Sequence, residues 1–340
     1  MLRQVLARCK SEQLRVFCDI ASQRSFSRAA SAHGMTQSAA SQIVHHLEED
    51  LSVQLIDRSK RPLVLTAAGQ LYYEGLQRIL HDFQTLDQEV RSFGKRLAGH
   101  VEVASIYSVG LSYMPAAKAE FAVRHPDVDL HIEFVTPDRV YESVSDGVAD
   151  LGLISYPKSS RTLHCVTWQH EPMKLICAPD HPYANRQEVH LDELNGQLMM
   201  GFESSLKVQQ EIAAYLARRG IRPKFDTGFD NIDSLIRAIQ LNSGIGILPQ
   251  PAIRREVAND SLRVVPCVDL EITRPLGIIW RRGGRLGPAA LEFGALLLGR
   301  PLRPDDSAAE TRRRADADTR QNTPLRATTS QDQLNNIGAG

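Results

Sequence analysis

Residues 36–51, TQSAASQIVHHLEEDL, constrain this chain more than any other stretch. At about 100° per residue, Ala40, Ile43, Val44, Leu47 and Leu51 fall on one side of a helix. Ser38, Ser41, Gln42 and His45 fall on the other. A solvated helix normally carries Lys and Glu on its outer face. This one carries short polar side chains that reach base edges and phosphates. The preceding segment, 25–35, reads as a shorter helix ending at a glycine. Ala29 and Ala30 let the two helices approach closely. Gly34 stands where the chain must turn with φ free to be positive. Met35 closes the turn, and Thr36 is a good N-cap. Helix, glycine turn, helix is the sequence form of a helix-turn-helix DNA reader. On these residues alone a plain tight αα-hairpin remains the alternative.

The flanks bear on that choice. Leu14, Val16, Phe17 and Ile20 supply a first helix. After the reader helix, 53–58 and 63–65 are short apolar runs around Ser59-Lys60-Arg61-Pro62, which predicts a β-hairpin. Beside a helix-turn-helix such a hairpin is a wing, its tip carrying Lys60 and Arg61 for phosphate or minor-groove contact, and Arg58, Lys60 and Arg61 position it on DNA. A solvated basic turn is the bland reading. Thr66 then caps a long helix from Ala67 to about Leu97. Its apolar residues Tyr72, Leu76, Ile79, Phe83, Leu86, Val90, Phe93 and Leu97 step by 4, 3, 4, 3, 4, 3 and 4. A sustained 3.5-residue period predicts a two-helix seam, hence a dimer. A helix lying on its own domain would show a wider apolar stripe.

Past Gly99 the pattern changes. Apolar strands at 101–105, 128–135 and 150–155 alternate with helices at 111–124 and 139–146. Further apolar runs at 174–178, 198–202, 244–248 and 277–280 are separated by helical segments at 207–219, 231–241 and 288–298. Alternating β and α predicts an α/β sheet covered on both faces. About 200 residues are large for one such sheet, so two lobes with a cleft are expected. From Pro301 the chain is rich in Arg, Asp, Thr, Gln and Asn, and 301–340 is read as a disordered tail. The expected division is a reading domain at 1–66, a linker and dimerisation helix at 67–97, and an effector domain at 98–300. Its first lobe spans about 98–166 and 270–300, its second about 167–269.

The 340 residues carry 40 basic and 40 acidic side chains, so the whole chain is neutral. Residues 1–65 hold nine Lys/Arg against six Asp/Glu, a local excess where DNA would lie. The N-terminus has no apolar secretory core, and no run approaches the roughly 18 residues that span a bilayer. The five cysteines form no CxxC. Reduced thiols in the cytoplasm are expected, with no membrane partner and no cofactor. Ser204-Ser-Leu-Lys207 matches an S-x-x-K acyl-transfer motif, but the SDN and KTG partners are missing. No histidine spacing suggests a metal site, so no catalytic or metal-binding residue is assigned.

For an open α/β sheet, a ligand lies at strand C-termini over helix N-termini. Ser105, Tyr107 and Ser108 follow the first strand, Ser155 ends another, Ser204 and Ser205 precede a helix, and Asn231 starts one. Hydroxyls with helix N–H groups point to a small anion; plain N-capping is the competing reading. On the DNA side Ser38, Ser41, Gln42 and His45 read sequence, while Gln37, at the helix N-terminus, faces phosphate.

These residues resemble a known family. Phe17, Ser25-Phe-Ser-Arg-Ala-Ala30, Thr36-Gln-Ser-Ala-Ala-Ser41, Leu47-Glu48, Leu51, Arg58 and Leu65-Thr-Ala-Ala-Gly69 are similar to the N-terminal domain of LysR-type transcriptional regulators. Weaker similarity continues through Met114-Pro115, His125-Pro126, Gly147-Val-Ala-Asp150 and Ser243-Gly-Ile-Gly-Ile-Leu-Pro249. Ala40, Ile56 and Asp57 depart from the family's usual residues. The resemblance implies a winged helix-turn-helix and a two-lobed effector domain like type 2 periplasmic binding proteins. It also implies a homodimer or tetramer on double-stranded promoter DNA, and a carboxylate or oxyanion effector. RNA polymerase is left open as a further partner. The competing classes are a small-molecule binding protein with a non-reading assembly domain and, third, an enzyme.

Overall fold

The computed structural model describes residues 9–92, 97–241 and 244–303. Three helices open the chain: α1 (Cys9–Gln23), α2 (Phe26–Ala32) and α3 (Gln37–Leu51). Ser25 caps α2 by accepting the Arg28 N–H, and Thr36 caps α3 by accepting that of Ala39. Each satisfies a donor that a helix start leaves unpaired. Gly34 turns the chain at φ +64°, a conformation costly for a residue with a Cβ. Phe17 and Ile20 of α1, Ala29 and Ala30 of α2, and Ala40, Val44 and Leu47 of α3 share one core. β1 (Ile56–Asp57) and β2 (Val64–Leu65) then pair antiparallel, forming the expected hairpin.

α4 (Ala67–Ser92) leaves this head directly. Thr66 Oγ accepts the Gly69 N–H at 3.0 Å, while its own hydroxyl donates to the Gln54 carbonyl at 2.6 Å. A Cβ on Gly69 would lie 1.9 Å from the Leu55 carbonyl oxygen. Only glycine lets the helix pass this close to the backbone.

The C-terminal part comprises β3 (Gly99–Ile106), α5 (Tyr107–Arg124), β4 (Val128–Val135), α6 (Pro137–Ser145), β5 (Leu151–Ser155) and β6 (Leu163–Cys177). Then come β7 (Leu198–Phe202), α7 (Lys207–Arg218), β8 (Lys224–Phe229), α8 (Ile232–Gln240), β9 (Ile245–Pro249), α9 (Arg254–Ala258), β10 (Arg263–Val265), β11 (Thr273–Arg281) and α10 (Pro288–Leu298). The strands are ordered β4-β3-β5-β11-β6-β9-β7-β8, with β10 also on β6. β6 pairs β11 along 163–172 and β9 along 173–177, so one long strand serves two halves. Each half has its own core. Phe121, Leu151, Leu153, Ile278 and Phe293 lie in the first, and Leu175, Leu194, Met199, Leu216 and Ile239 in the second. Within each half the β3–β4, β3–β5 and β7–β8 pairs are parallel, as strand–helix–strand crossovers require.

This is the expected α/β architecture: winged helix-turn-helix, long linker helix, two-lobed domain. The details differ in places. β6 begins eleven residues before the apolar run at 174–178, because His164, Gln169, His170 and Glu171 interrupt its hydrophobicity. β8 is an edge strand carrying Lys224 and Asp226, a composition that periodicity does not mark. Among the described residues no helix is long and apolar enough to cross a membrane.

Candidate nucleic-acid interface and effector cleft

α3 buries Ala40, Val44 and Leu47, which turns Ser38, Gln42 and His45 to solvent and leaves Ser41 half-exposed. Gln37 is exposed at the first turn, where its Oε1 accepts the Ser27 hydroxyl at 2.9 Å. His45 Nε2 lies 3.3 Å from the Glu49 carboxylate. The wing tip carries Lys60 and Arg61, both exposed. Lys60 is 3.9 Å from Asp57. The Ser59 hydroxyl and N–H both donate to Asp57, and with Lys60 they hold its carboxyl below the usual carboxylate range.

Arg58 sits behind the wing tip. Its guanidinium donates to Glu48 at 3.1 Å and Ser41 Oγ at 3.3 Å, and lies over the Phe26 ring. It braces the wing against α3 instead of reaching outward with Lys60 and Arg61. Glu48, missed in the sequence as a site residue, is the hub. Its Oε1 accepts the Leu55 and Ile56 N–H groups at 2.9 and 3.1 Å.

The seam on α4 divides. Leu76 is buried in the reading-head core, and Tyr72 packs there against Phe17 with ring centroids 5.6 Å apart. Those two are therefore used within the chain. Ile79, Phe83, Leu86 and Val90 are exposed. Phe93 lies outside the described residues.

Between the halves of the large domain, Arg274 of β11 and Glu171 of β6 are paired, 2% and 1% exposed. Arg274 Nε donates to Glu171 Oε2 at 2.6 Å and its Nη1 to Ser108 Oγ at 3.1 Å. Tyr113 Oη donates to Glu171 Oε1 at 2.8 Å and its ring meets Trp168 edge-on. Arg274 Nη2 is 2.5 Å from the same carboxylate but outside hydrogen-bond geometry, and is buried without another partner. Tyr156 Oη, Gln169 Nε2 and Gln209 Oε1 are also buried without hydrogen-bond partners. Tyr156 follows β5 with φ +51°, uncommon for a bulky residue. Burial pushes its hydroxyl up to about 12, with Arg274 opposing and Glu211 and Glu171 reinforcing the shift.

The structure thus brings Ser108 into this cluster and leaves other expected contacts aside. Ser105 is wholly buried within β3, its hydroxyl turned to the Ile106 carbonyl. Tyr107 is exposed and packs beside Phe134. Ser155 pairs with Leu276 across β5 and β11, next to Tyr156. Ser204 and Ser205 do not cap α7, whose N-cap is Leu206; their carbonyls instead accept Gln210 Nε2. Asn231 is a plain N-cap, accepting the Ser234 N–H at 2.9 Å. Arg274 and Glu171 were missed. Charged residues inside otherwise apolar strands were the available signal.

A family model described as "Bacterial regulatory helix-turn-helix protein, lysR family" matches residues 11–70, and one described as "LysR substrate binding domain" matches 94–301. The uncharacterized HTH-type transcriptional regulator YfeR of Shigella flexneri is 32% identical over 283 residues, covering 82% of this chain and 90% of the relative. The hydrogen peroxide-inducible genes activator of Dickeya chrysanthemi is 25% identical, covering 78% of this chain and 88% of the relative. The fold is also that of full-length CbnR complexed with its target DNA, with TM-score 0.64, 19% identity, and 84% and 98% of the two chains covered. The chain belongs to the LysR family of transcriptional regulators, which pair a DNA-binding helix-turn-helix with an effector-binding domain and are not enzymes.

Proposed function

We propose that this regulator binds a partly palindromic promoter site as a dimer joined along α4, reading bases with Ser38, Ser41, Gln42 and His45. The single observation that carries the reading is the polar, solvent-facing side of α3, held beside a basic wing tip. Gln is suited to adenine, and serine to a base edge or phosphate. Lys60, Arg61 and Gln37 anchor the backbone. Ile79, Phe83, Leu86 and Val90 supply the paired seam, and dimers associate into tetramers on DNA. The cytoplasm, where promoter DNA lies, is the compartment this implies.

A gel shift on the DNA upstream of the protein's own gene tests this. A sequence-selective shift that weakens as salt rises is expected. Its absence on any such promoter DNA sinks the reading.

The effector we infer is a small anion held between the lobes, over the first turn of α5. Support comes from the Ile106 N-cap, which has no capping side chain, and from Ser108 with Arg274 beside it. Glu171 already balances the arginine charge, so the anion's main attraction is to the helix amides. A thermal-shift panel of small carboxylates, oxyanions and uncharged polyols tests this. A bound anion at 100 times Kd adds about 2.7 kcal/mol. If Ser108→Ala leaves the shift unchanged for every hit, the cleft assignment is wrong.

The peroxide response in one relative's name finds no support at three of the five cysteines, Cys18, Cys177 and Cys267. Burial, with Asp19 and Asp269 nearby, pushes the Cys18 and Cys267 thiols up to about 12, and burial with Asp180 pushes Cys177 to about 11. Peroxide oxidises thiolates, which such groups do not form at neutral pH.

A further inference from the structure

The two sides of α4 meet different surroundings. At about 100° per residue, Ile79, Phe83, Leu86 and Val90 lie on one side, and Glu74, Arg78, His81 and Thr85 lie opposite. The second side docks on the chain's own first lobe. His81 Nε2 lies 3.3 Å from Asp150 Oδ1, with the side chains only 13% and 6% exposed. Arg281, at the end of β11, pairs with Asp82 at 2.5 Å. Thr85 is buried. Gly147 has φ +71°, and a Cβ there would lie 3.5 Å from the Arg281 guanidinium and 3.6 Å from Arg78. Asp150 is fixed from behind, accepting the Glu102 N–H at 2.9 Å and donating its own N–H to the Glu102 carbonyl at 2.8 Å.

Both lobe-side partners sit at the ends of strands that run to the cleft. β5 and β11 are antiparallel neighbours, with Gly152 opposite Ile279 and Ser155 opposite Leu276. Asp150 precedes β5 and Tyr156 follows it. Arg281 ends β11, and Arg274 lies near its start. A hydrogen-bonded strand pair moves as one piece, so a displacement at the cleft end arrives at the helix end. A cavity of about 690 Å³ beside the contact, lined by Arg24, Tyr73, Glu74, Arg139 and Asp146 among others, leaves the lobe room to shift against the reading head.

We propose that His81–Asp150 and Asp82–Arg281 form a latch that couples the first lobe to the linker helix, and through which a rearrangement of the cleft reaches the paired reading heads. This rests on the cleft being the effector site and on α4 being the dimer helix. The latch is also sensitive to pH. His81 faces Asp150 from the lobe, Asp82 from its own helix and Arg281 from β11, with Arg78, Glu74, Asp146, Glu142 and Arg139 around the neighbouring turn. Burial alone would lower its pKa. The hydrogen bond and charge of Asp150, with Asp82, outweigh burial and Arg281 and raise it above the ordinary 6.5. The protonated pair is therefore complete below the unfolded value and is lost as pH rises through the folded one.

Small-angle scattering of the full chain, without effector, at about pH 6 and about pH 8.5 tests the latch. The wild type is expected to expand between the two. Asp150→Asn keeps an oxygen for the Glu102 N–H but loses the charge, so it should be expanded at both values with no pH response. Arg281→Gln, at a more exposed position, should be expanded at the lower pH and serves if Asp150→Asn does not fold. Scattering of Arg281→Gln, and of any folded Asp150→Asn, that superimposes on the wild type at both values overturns the latch. That result would leave the gel shift and the anion-dependent thermal shift untouched. Failure of every anion in the thermal-shift panel would remove the effector reading while the expansion could still be measured.

Discussion

Glu48 serves three donors with one carboxylate: two wing amides and Arg58. Glu48→Ala should lower stability in urea unfolding by about 2 kcal/mol, since the largely buried Leu55 and Ile56 amides lose their acceptor. Glu48→Gln retains an oxygen and should cost less. The same contacts set apart the wing cations. In salt titrations of DNA affinity, Lys60→Ala and Arg61→Ala should each reduce the slope by about 1 per reading head. Arg58→Ala should reduce it less, because its charge is committed to Glu48. Arg274→Ala strands Glu171 in the interior and should cost about 3–5 kcal/mol by denaturant unfolding, whereas replacing both with apolar residues should cost less. The polar face of α3 was legible because a local helical period defines it. The Arg274–Glu171 pair was not, since its members are 103 residues apart and meet only when β6 and β11 pair.

Elements show a similar division. The 3.5-residue spacing of α4 is visible in the chain and correctly marks an apolar side. Spacing does not say what covers each position. Leu76 and Tyr72 lie over the reading head, where Phe17 waits, while Phe83 and Val90 project beyond it. Phe83→Asp should therefore weaken dimerisation by at least about tenfold, about 1.4 kcal/mol, in sedimentation equilibrium, with the melting of each folded part little changed. An unchanged dimer constant would remove α4 as the pairing helix. Thr36→Ala should cost about 1 kcal/mol through loss of the cap on α3. The expectation that serines before α7 cap it failed for a local reason. Ser204 and Ser205 form a turn closed by the Leu206 N–H on the Glu203 carbonyl, and Leu206 takes the N-cap position without offering an oxygen.

At the scale of the whole molecule, three hydrophobic clusters pack separately and are joined by α4 and the long strands β6 and β11. That arrangement permits relative movement of the parts without unfolding any of them. It also shelters Cys177: fully buried in β6, the native thiol should react with iodoacetamide at least about a hundredfold more slowly than in urea.

By itself the amino-acid order determined what depends on near neighbours. This covers the helix-turn-helix with its glycine, the reading face of α3, the wing, the apolar period of α4 and the alternation of strand and helix. Each is set within a few residues by backbone sterics, capping and amphipathic period, so each is written locally. Tertiary structure alone decided that Arg58 braces instead of reaching out, that Arg274 meets both Ser108 and Glu171, and that His81 docks on Asp150. Those contacts join residues 10 to 166 positions apart. They depend on how the wing, the helices and the sheet pack against one another, and no local pattern encodes that packing.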